Sequence, residues 1–299
     1  MGAEQRDYSG GEAADDPTGL GGGAAGFALA LQFLTSAPEL IHRRASTREL
    51  GRSMAYFPIV GLLLGLTLAG ADALLGLLLG TAPIRGALVV ALSLLLSRGI
   101  HLDGLMDSAD GLFGGWTPDR RLEIMRDSRV GSFGVMAGAV DLFLRVAAIA
   151  SLAGPLRVAT LVLVTMLGRW ALVYATWRFS YARPTGMGAA YKRFADNGRL
   201  ALASVLAIGA CVLIGLVFAQ LMPGIPAVPA LVGAVLAFLL AWLTTELFGR
   251  YVLTLLPGQT GDTYGATNEI VEIILLIAAV ALAGWLGVLA GGAPAGGAA

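Results

Sequence analysis

Seven long apolar stretches alternate with polar connections along the chain, and each is close to the length that crosses a bilayer as an α-helix. They cover residues 54–80, 84–100, 133–154, 156–177, 200–222, 227–248 and 268–290. A spanning helix needs roughly 20 mostly apolar residues. Residues 24–37 are apolar over a shorter run, which predicts an interfacial or re-entrant segment. The pattern therefore predicts an all-α fold, a polytopic integral membrane helical bundle with about seven transmembrane helices plus this short N-terminal segment.

The composition supports the same conclusion. Hydrophobic residues make up 57% of the chain and charged residues 13%, whereas soluble domains average roughly 25% charged residues. A water-soluble protein of this length could not bury that much apolar surface, so the lipid bilayer must be its solvent. The formal net charge is zero, which excludes a nucleic-acid partner bound through a general positive field.

Basic residues fall almost entirely on one side of the predicted bundle. Fourteen lie in one set of connections, and only Arg85 and Arg157 lie in the other. The fourteen are Arg43, Arg44, Arg48, Arg52, Arg120, Arg121, Arg126, Arg129, Arg178, Arg183, Lys192, Arg193, Arg199 and Arg250. Because basic loops stay in the cytoplasm, we expect the loops 101–132, 178–199 and 249–267 to be cytoplasmic and the C-terminus to lie outside.

The run His101-Leu-Asp-Gly-Leu-Met-Asp-Ser-Ala-Asp-Gly111 is the most informative of these loops. Asp103, Asp107 and Asp110 are spaced i, i+4, i+7, so a helix continuing from the second span would carry all three on one face. Like charges on one stripe repel each other, and hard carboxylate oxygens suit Mg²⁺ or Mn²⁺. The sequence predicts a metal site here, with a solvated acidic helix end as the alternative.

The next segment predicts a short helix and a phosphate-binding loop. Thr117 suits an N-cap and Pro118 the first helical position. The loop that follows contains Asp127 and Arg129 and leads into the third span. An arginine beside the backbone N–H groups of a helix start is a natural phosphate site.

Two further loops on the same side combine glycine with charge. Tyr181-Ala-Arg183-Pro-Thr-Gly186-Met-Gly188 could bind phosphate through Arg183. Residues 257–272 form a glycine-rich loop that enters the last span and contains Asp262, Asn268, Glu269 and Glu272. Acidic groups at a membrane boundary need a partner or a metal.

Charges also occur inside the predicted spans. Arg145, Arg169 and Glu246 are examples, and Asp141 lies four residues before Arg145. Intramembrane charges are costly and are usually functional or paired. A transporter would concentrate its essential charges there, near the midplane, whereas an enzyme would use the loops.

Carboxylates that hold a divalent metal beside arginines and glycine-rich loops are typical of phosphoryl or nucleotidyl transfer. The element Asp107-x-x-Asp110-Gly111 resembles the start of the motif in CDP-alcohol phosphotransferases. The Ala-Arg pair expected after the glycine is absent, however, and the later acidic residues are wrongly spaced. That family of lipid-synthesising enzymes remains an alternative, and a transporter is a second.

A longer resemblance covers residues 30 to 280. The runs HLDGLMDSADGLFGG and RRLEIMRDSRVGSFGV resemble the central motif of adenosylcobinamide-GDP ribazoletransferases, the cobalamin 5′-phosphate synthases. LQFLT and YFPIVGLLLG come before this motif, YARPTGMG and LPGQTGDTYGATNEIVEIILL come after it, and all four stand in the order of that family.

The resemblance implies a Mg²⁺-dependent enzyme of the prokaryotic cell membrane that acts late in vitamin B12 synthesis. Its substrates would be adenosylcobinamide-GDP and α-ribazole or α-ribazole 5′-phosphate. A ribose hydroxyl would attack the phosphate on the cobinamide, and GMP would leave. A homo-oligomer is compatible with the sequence.

Spacing and charge suggest a role for each candidate residue. Asp103, Asp107 and Asp110 are predicted to bind metal. Arg129, Arg183 and Arg126 are predicted to hold phosphates, and Asp127 or His101 to accept the proton of the attacking hydroxyl. The residues predicted to complete a second metal or ribazole site are Asp262, Asn268, Glu269 and Glu272.

The ends of the chain fall outside these motifs. Residues 1–22 are rich in glycine and acid, and they lack the basic start and the cleavage site of a signal peptide. We expect a disordered tail over 1–22, a single membrane-embedded catalytic domain over 23–292, and a flexible tail over 293–299.

Overall fold

The computed structural model describes residues 22–43, 45–222 and 224–289, so the predicted tails lie almost wholly outside the described residues. The described part is helical. Its α-helices are α1 (Gly22–Leu34), α2 (Thr47–Ser53), α3 (Phe57–Leu78), α4 (Ala82–Ser97), α5 (Ile100–Gly114), α6 (Pro118–Ile124), α7 (Ser132–Ser151), α8 (Gly154–Arg178), α9 (Met187–Arg193), α10 (Asn197–Leu221), α11 (Ala227–Leu255) and α12 (Gly261–Leu289). One 3-10 turn, Met54–Tyr56, joins α2 to α3.

The predicted membrane bundle is confirmed. Among the described residues, six helical segments are long and apolar enough to cross a bilayer, and the pair α4 and α5 makes a seventh if it is counted as one span. Large apolar side chains such as Leu77 and Phe143 point outward, as a protein solvated by lipid requires. The chain is a multi-pass membrane protein.

The second span does not continue as a straight helix into the aspartates, which lie instead on a separate helix, α5. The axes of α4 and α5 differ by 91°. The break lies at Arg98 (φ 56°) and Gly99 (φ 65°), which both adopt the left-handed conformation. A non-glycine residue in that conformation needs external support. The Arg98 guanidinium supplies it by donating to the carbonyl oxygens of Gln32 (2.9 Å) and Phe33 (3.2 Å) at the end of α1.

We call the end of the bundle that carries the basic loops the basic end. There α3, α7, α10 and α12 begin and α4, α8 and α11 end. α1 lies along this end, because its first residues approach Tyr56 before α3 while its last turn contacts Arg98 after α4. The predicted short N-terminal segment is therefore a helix that runs across the basic end, with both of its ends there.

The centre of the bundle is α8, and most of its residues are buried. It packs tightly against α3 through Gly61 and Gly65. A Cβ on either glycine would lie within 2.4–2.8 Å of α8 atoms, including Thr165 and Val162. Such close backbone approach is how helices associate in lipid, where small residues form the contacts.

The last two spans extend beyond their predicted polar boundaries. α11 reaches Leu255, and α12 begins at Gly261. Asp262 therefore lies in the first turn of α12, while Glu269 and Glu272 lie two to three turns further along the same helix. This extension decides which acidic residues face the basic end and which face the interior.

Candidate active site

α5 lies across the basic end and carries the three predicted metal ligands. Its Gly104 packs so closely on α12 that an added Cβ would lie 2.7 Å from the Asp262 carbonyl oxygen. Asp103 is exposed and Asp107 is half-buried. Because these two are four residues apart on one helix, their carboxylates share one face. The contact with α12 brings Asp262 beside that face.

Asp110 is buried, and its carboxylate is engaged in hydrogen bonds with the backbone. Its carboxylate accepts the N–H groups of Gly131 (2.7 Å) and Gly134 (2.8 Å) at the start of α7. Both glycines lack room for a Cβ, which would lie 2.4 Å from an Asp110 oxygen. Asp110 therefore caps α7 and joins it to α5, a use that differs from the direct metal ligation expected from the i+7 spacing.

Asp103, Asp107 and Asp262 form a negatively charged group that we call the aspartate cluster. Asp107 is repelled by Asp103, Asp262 and Asp110 and attracted by Arg183. Arg183 donates to the Asp262 carboxylate at 2.9 Å. Within the described ranges, no three acidic, histidine or cysteine side chains converge on a single metal position. The side chains of the cluster nevertheless offer carboxylate oxygens with surplus negative charge, and such oxygens suit a hard divalent cation.

Two loops predicted to be functional are joined to each other at this end. The Ala182 N–H donates to the Gln259 carbonyl oxygen, and the Gln259 N–H donates to the Ser180 carbonyl oxygen, both at 2.8 Å. The Tyr181 ring stacks on Tyr264 with ring centroids 6.0 Å apart. This pairing fixes Arg183 and Asp262 opposite one another.

The pairing of these two loops requires a glycine at position 258. A Cβ at Gly258 would lie 2.7 Å from the Ala182 nitrogen and the Tyr181 carbonyl carbon. We expect Gly258→Ala to separate the loops and to lower the free energy of unfolding by about 1–3 kcal/mol, as overpacking does. Thermal unfolding in detergent measures this. Gly261→Ala is the matched control, because open space surrounds that position; equal effects of both substitutions would contradict the argument.

Tyr181 also belongs to this site, although its motif offered no reason to select it in advance. Burial raises the pKa of its phenol, so the side chain stays neutral at physiological pH. Arg183, Asp262 and Arg126 all act on it electrostatically. The predicted phosphate ligands Arg126 and Arg183 are therefore both near Tyr181, from loops 50 or more residues apart in sequence.

Asp127 and Arg129 lie at the surface and pair with each other. The Asp127 carboxylate accepts the Arg129 backbone N–H (3.0 Å) and its guanidinium (3.1 and 3.2 Å). The Arg129 side chain is 88% exposed. Hydrogen bonds from Arg129 lower the pKa of Asp127. The predicted helix that precedes them is confirmed, with Thr117 accepting the Arg120 N–H at the start of α6.

His101 lies on the inner side of α5. It is two residues before Asp103, hence about 200° away around the helix, and it is buried. Its Nε2 has no hydrogen-bond partner among the described residues, and its charged neighbours are Arg169 and Arg145. The structure thus separates His101 from the aspartate face, where it was expected to serve as a base.

Glu269, Glu272 and Asn268 also face the interior, which differs from their expected place beside a second metal or ribazole. Arg145 donates to Glu269 (2.5 Å), to Glu272 (2.6 Å) and to Asp141 (2.8 Å). Arg169 pairs with Glu272. We call Asp141, Arg145, Arg169, Glu269 and Glu272 the interior ion network.

Asn268 completes this network by donating to one oxygen each of Glu269 and Glu272, at 3.1 Å. The network lines a narrow cavity of about 20 Å³, which is enough for one water molecule. Each charged side chain of the network contacts an opposite charge inside the protein, as the cost of burial requires, although three carboxylates face only two guanidinium groups.

The cobalamin-5-phosphate synthase family model matches residues 26–280. The chain belongs to this family. Curated relatives of the chain carry the name adenosylcobinamide-GDP ribazoletransferase. The relative from Desulforamulus reducens is 41% identical over 256 residues, and the alignment covers 83% of this chain and 94% of the relative. The enzyme of the same name from Roseiflexus sp. is 38% identical, covering 83% and 86%. No solved structure matches the chain.

The match to the cobalamin-5-phosphate synthase family includes every loop that forms the site. Residues 26–280 contain α5, the paired loops at 180–188 and 257–262, and the interior ion network. The aspartate cluster therefore belongs to the part of the chain that the family shares.

Proposed function

We propose that this chain is the membrane transferase that its relatives' name describes, joining adenosylcobinamide-GDP to α-ribazole or α-ribazole 5′-phosphate. The observation that carries the proposal is the family match across the whole bundle, together with one acidic cluster and its arginines at the basic end. A ribose hydroxyl oxygen forms a bond to the phosphorus attached to the cobinamide. The phosphoanhydride bond breaks, GMP leaves with the bonding electrons, and a base takes the hydroxyl proton.

Asp103 and Asp107, with Asp262 opposite, would hold Mg²⁺ or Mn²⁺. Bound there, a divalent cation would neutralise charge on the pyrophosphate oxygens. The surplus of negative charge around Asp107 supports this set. Asp110 would support it indirectly, by fixing α5 against α7.

Arg183 and Arg126 would bind the phosphates, because both lie near Tyr181 and arginine pairs well with phosphate oxygens. Arg129 would join them only by releasing Asp127. Pairing with Arg129 lowers the pKa of Asp127 and therefore its basicity. Asp127 is the proposed acceptor of the hydroxyl proton once the pair opens, because its carboxylate then regains the basicity that the arginine suppresses.

We propose that the basic end faces the cytoplasm of a prokaryotic cell and that the C-terminus lies outside. The asymmetry of the basic loops supports this orientation. Both substrates would then reach the aspartate cluster from the cytoplasm.

The decisive experiment is GMP release by detergent-purified protein given adenosylcobinamide-GDP, α-ribazole and Mg²⁺, with EDTA as control. We expect GMP only when ribazole and metal are both present. Release of CMP from a CDP-alcohol would favour the lipid-synthesising alternative. No GMP from folded protein, with either ribazole or its phosphate, would refute the proposed reaction.

A further inference from the structure

A second cavity opens at the basic end, away from the aspartate cluster. Its volume is about 420 Å³. It lies between the start of α1 at Gly22 and Gly23, the α2–α3 junction at Arg52 and Tyr56, and the first turns of α10. None of the residues proposed for the transfer reaction lines it.

The lining carries a net positive charge. Arg52 is exposed, and among the described residues no carboxylate forms an ion pair with it. Arg199, on the α10 side, pairs with Asp196, which also accepts the Arg199 backbone N–H at 2.9 Å. Within the described part of the chain, Arg52 is therefore the lining charge without an opposite partner, and the cavity suits an anionic group.

An apolar stripe leads away from this cavity along α10. Leu202 lines the cavity and is 43% exposed, and Val205 (67%) and Ile208 (45%) continue the stripe at helical spacing. This surface belongs to a spanning helix and faces lipid. A small soluble anion would not contact this apolar stripe, whereas an amphiphile would contact both the charged cavity and the stripe.

We propose that this cavity binds the phosphate headgroup of an anionic phospholipid, whose acyl chains lie along the α10 stripe. Arg52 donates to the phosphate, and the lipid holds α1 against α10. Because the last turn of α1 supports Arg98 at the break between α4 and α5, the bound lipid also stabilises the helix that carries Asp103 and Asp107.

The test compares Arg52→Gln with wild-type protein in lipid binding. Native mass spectrometry and thermal unfolding are measured in detergent with added phosphatidylglycerol or phosphatidylcholine. Wild-type protein should retain phosphatidylglycerol in preference and unfold at a higher temperature with it. A lost hydrogen bond between charged groups is worth about 1.5–3 kcal/mol, so Arg52→Gln should lower the affinity about 10- to 100-fold.

Arg48→Gln is the matched control, because it removes the same charge from the same helix outside the cavity. Arg199 is left intact, since its contacts hold the start of α10. Equal losses in Arg48→Gln and Arg52→Gln would overturn the site. If glycerol 1-phosphate, which lacks acyl chains, raised the unfolding temperature as much as phosphatidylglycerol does, the cavity would bind an anion and the lipid proposal would be overturned. None of these readouts requires the transferase reaction, so the two proposals can fail separately.

Discussion

Asp107→Asn is expected to reduce Mg²⁺-dependent GMP release by about 10²- to 10³-fold, because a metal that stabilises phosphoryl transfer contributes several kcal/mol to the barrier. Asp107 lies between Asp103, Asp262 and Asp110, so it is the most central carboxylate of the cluster. The neutral amide keeps the shape of the side chain while removing its charge. GMP release is to be measured across a range of Mg²⁺ concentrations.

The dependence on metal concentration separates this loss from misfolding. A weakened metal site should recover part of its activity as Mg²⁺ rises, whereas a misfolded protein should not. Asp119→Asn on α6 is the control, since Asp119 is exposed and lies outside the cluster; it should stay within about twofold of wild type, a surface effect. Wild-type turnover by Asp107→Asn at limiting Mg²⁺ would refute the metal assignment.

The spans were predictable because each depends on a local property, a long run of apolar residues. The break between α4 and α5 was not, because the support for Arg98 comes from carbonyl groups at Gln32 and Phe33, about 65 residues earlier in the chain. Spacing alone placed Asp103 and Asp107 on one face correctly. It could not show that the helix carrying them turns by 91° and lies across the basic end.

The acidic residues of α12 illustrate the same limit. Asp262 and Glu272 belong to one continuous motif, but α12 begins at Gly261 and separates them by almost three turns. Asp262 pairs with Arg183 at the basic end, and Glu272 pairs with Arg145 and Arg169 inside. The partners lie 79 or more residues away in sequence, so only tertiary packing decides which carboxylate is available to substrate.

Glu272→Gln is expected to destabilise the bundle far more than Glu269→Gln. In the interior ion network, three carboxylates face two guanidinium groups, so one carboxylate is in surplus. Glu272 contacts both arginines, whereas Glu269 contacts only Arg145. Glu272→Gln therefore leaves Arg169 without its carboxylate, and removing one partner of a buried pair costs about 3–5 kcal/mol.

Glu269→Gln removes the surplus charge and can keep a hydrogen bond, so its cost should stay below about 1 kcal/mol. The measurement is the thermal midpoint of each variant in the same detergent, where about 1 kcal/mol shifts the midpoint by roughly 2–4 °C. Shifts of equal size would mean that the network does not carry a surplus negative charge. Because α12 also positions Asp262, Glu272→Gln should lose GMP release together with stability, whereas Asp107→Asn should lose GMP release alone.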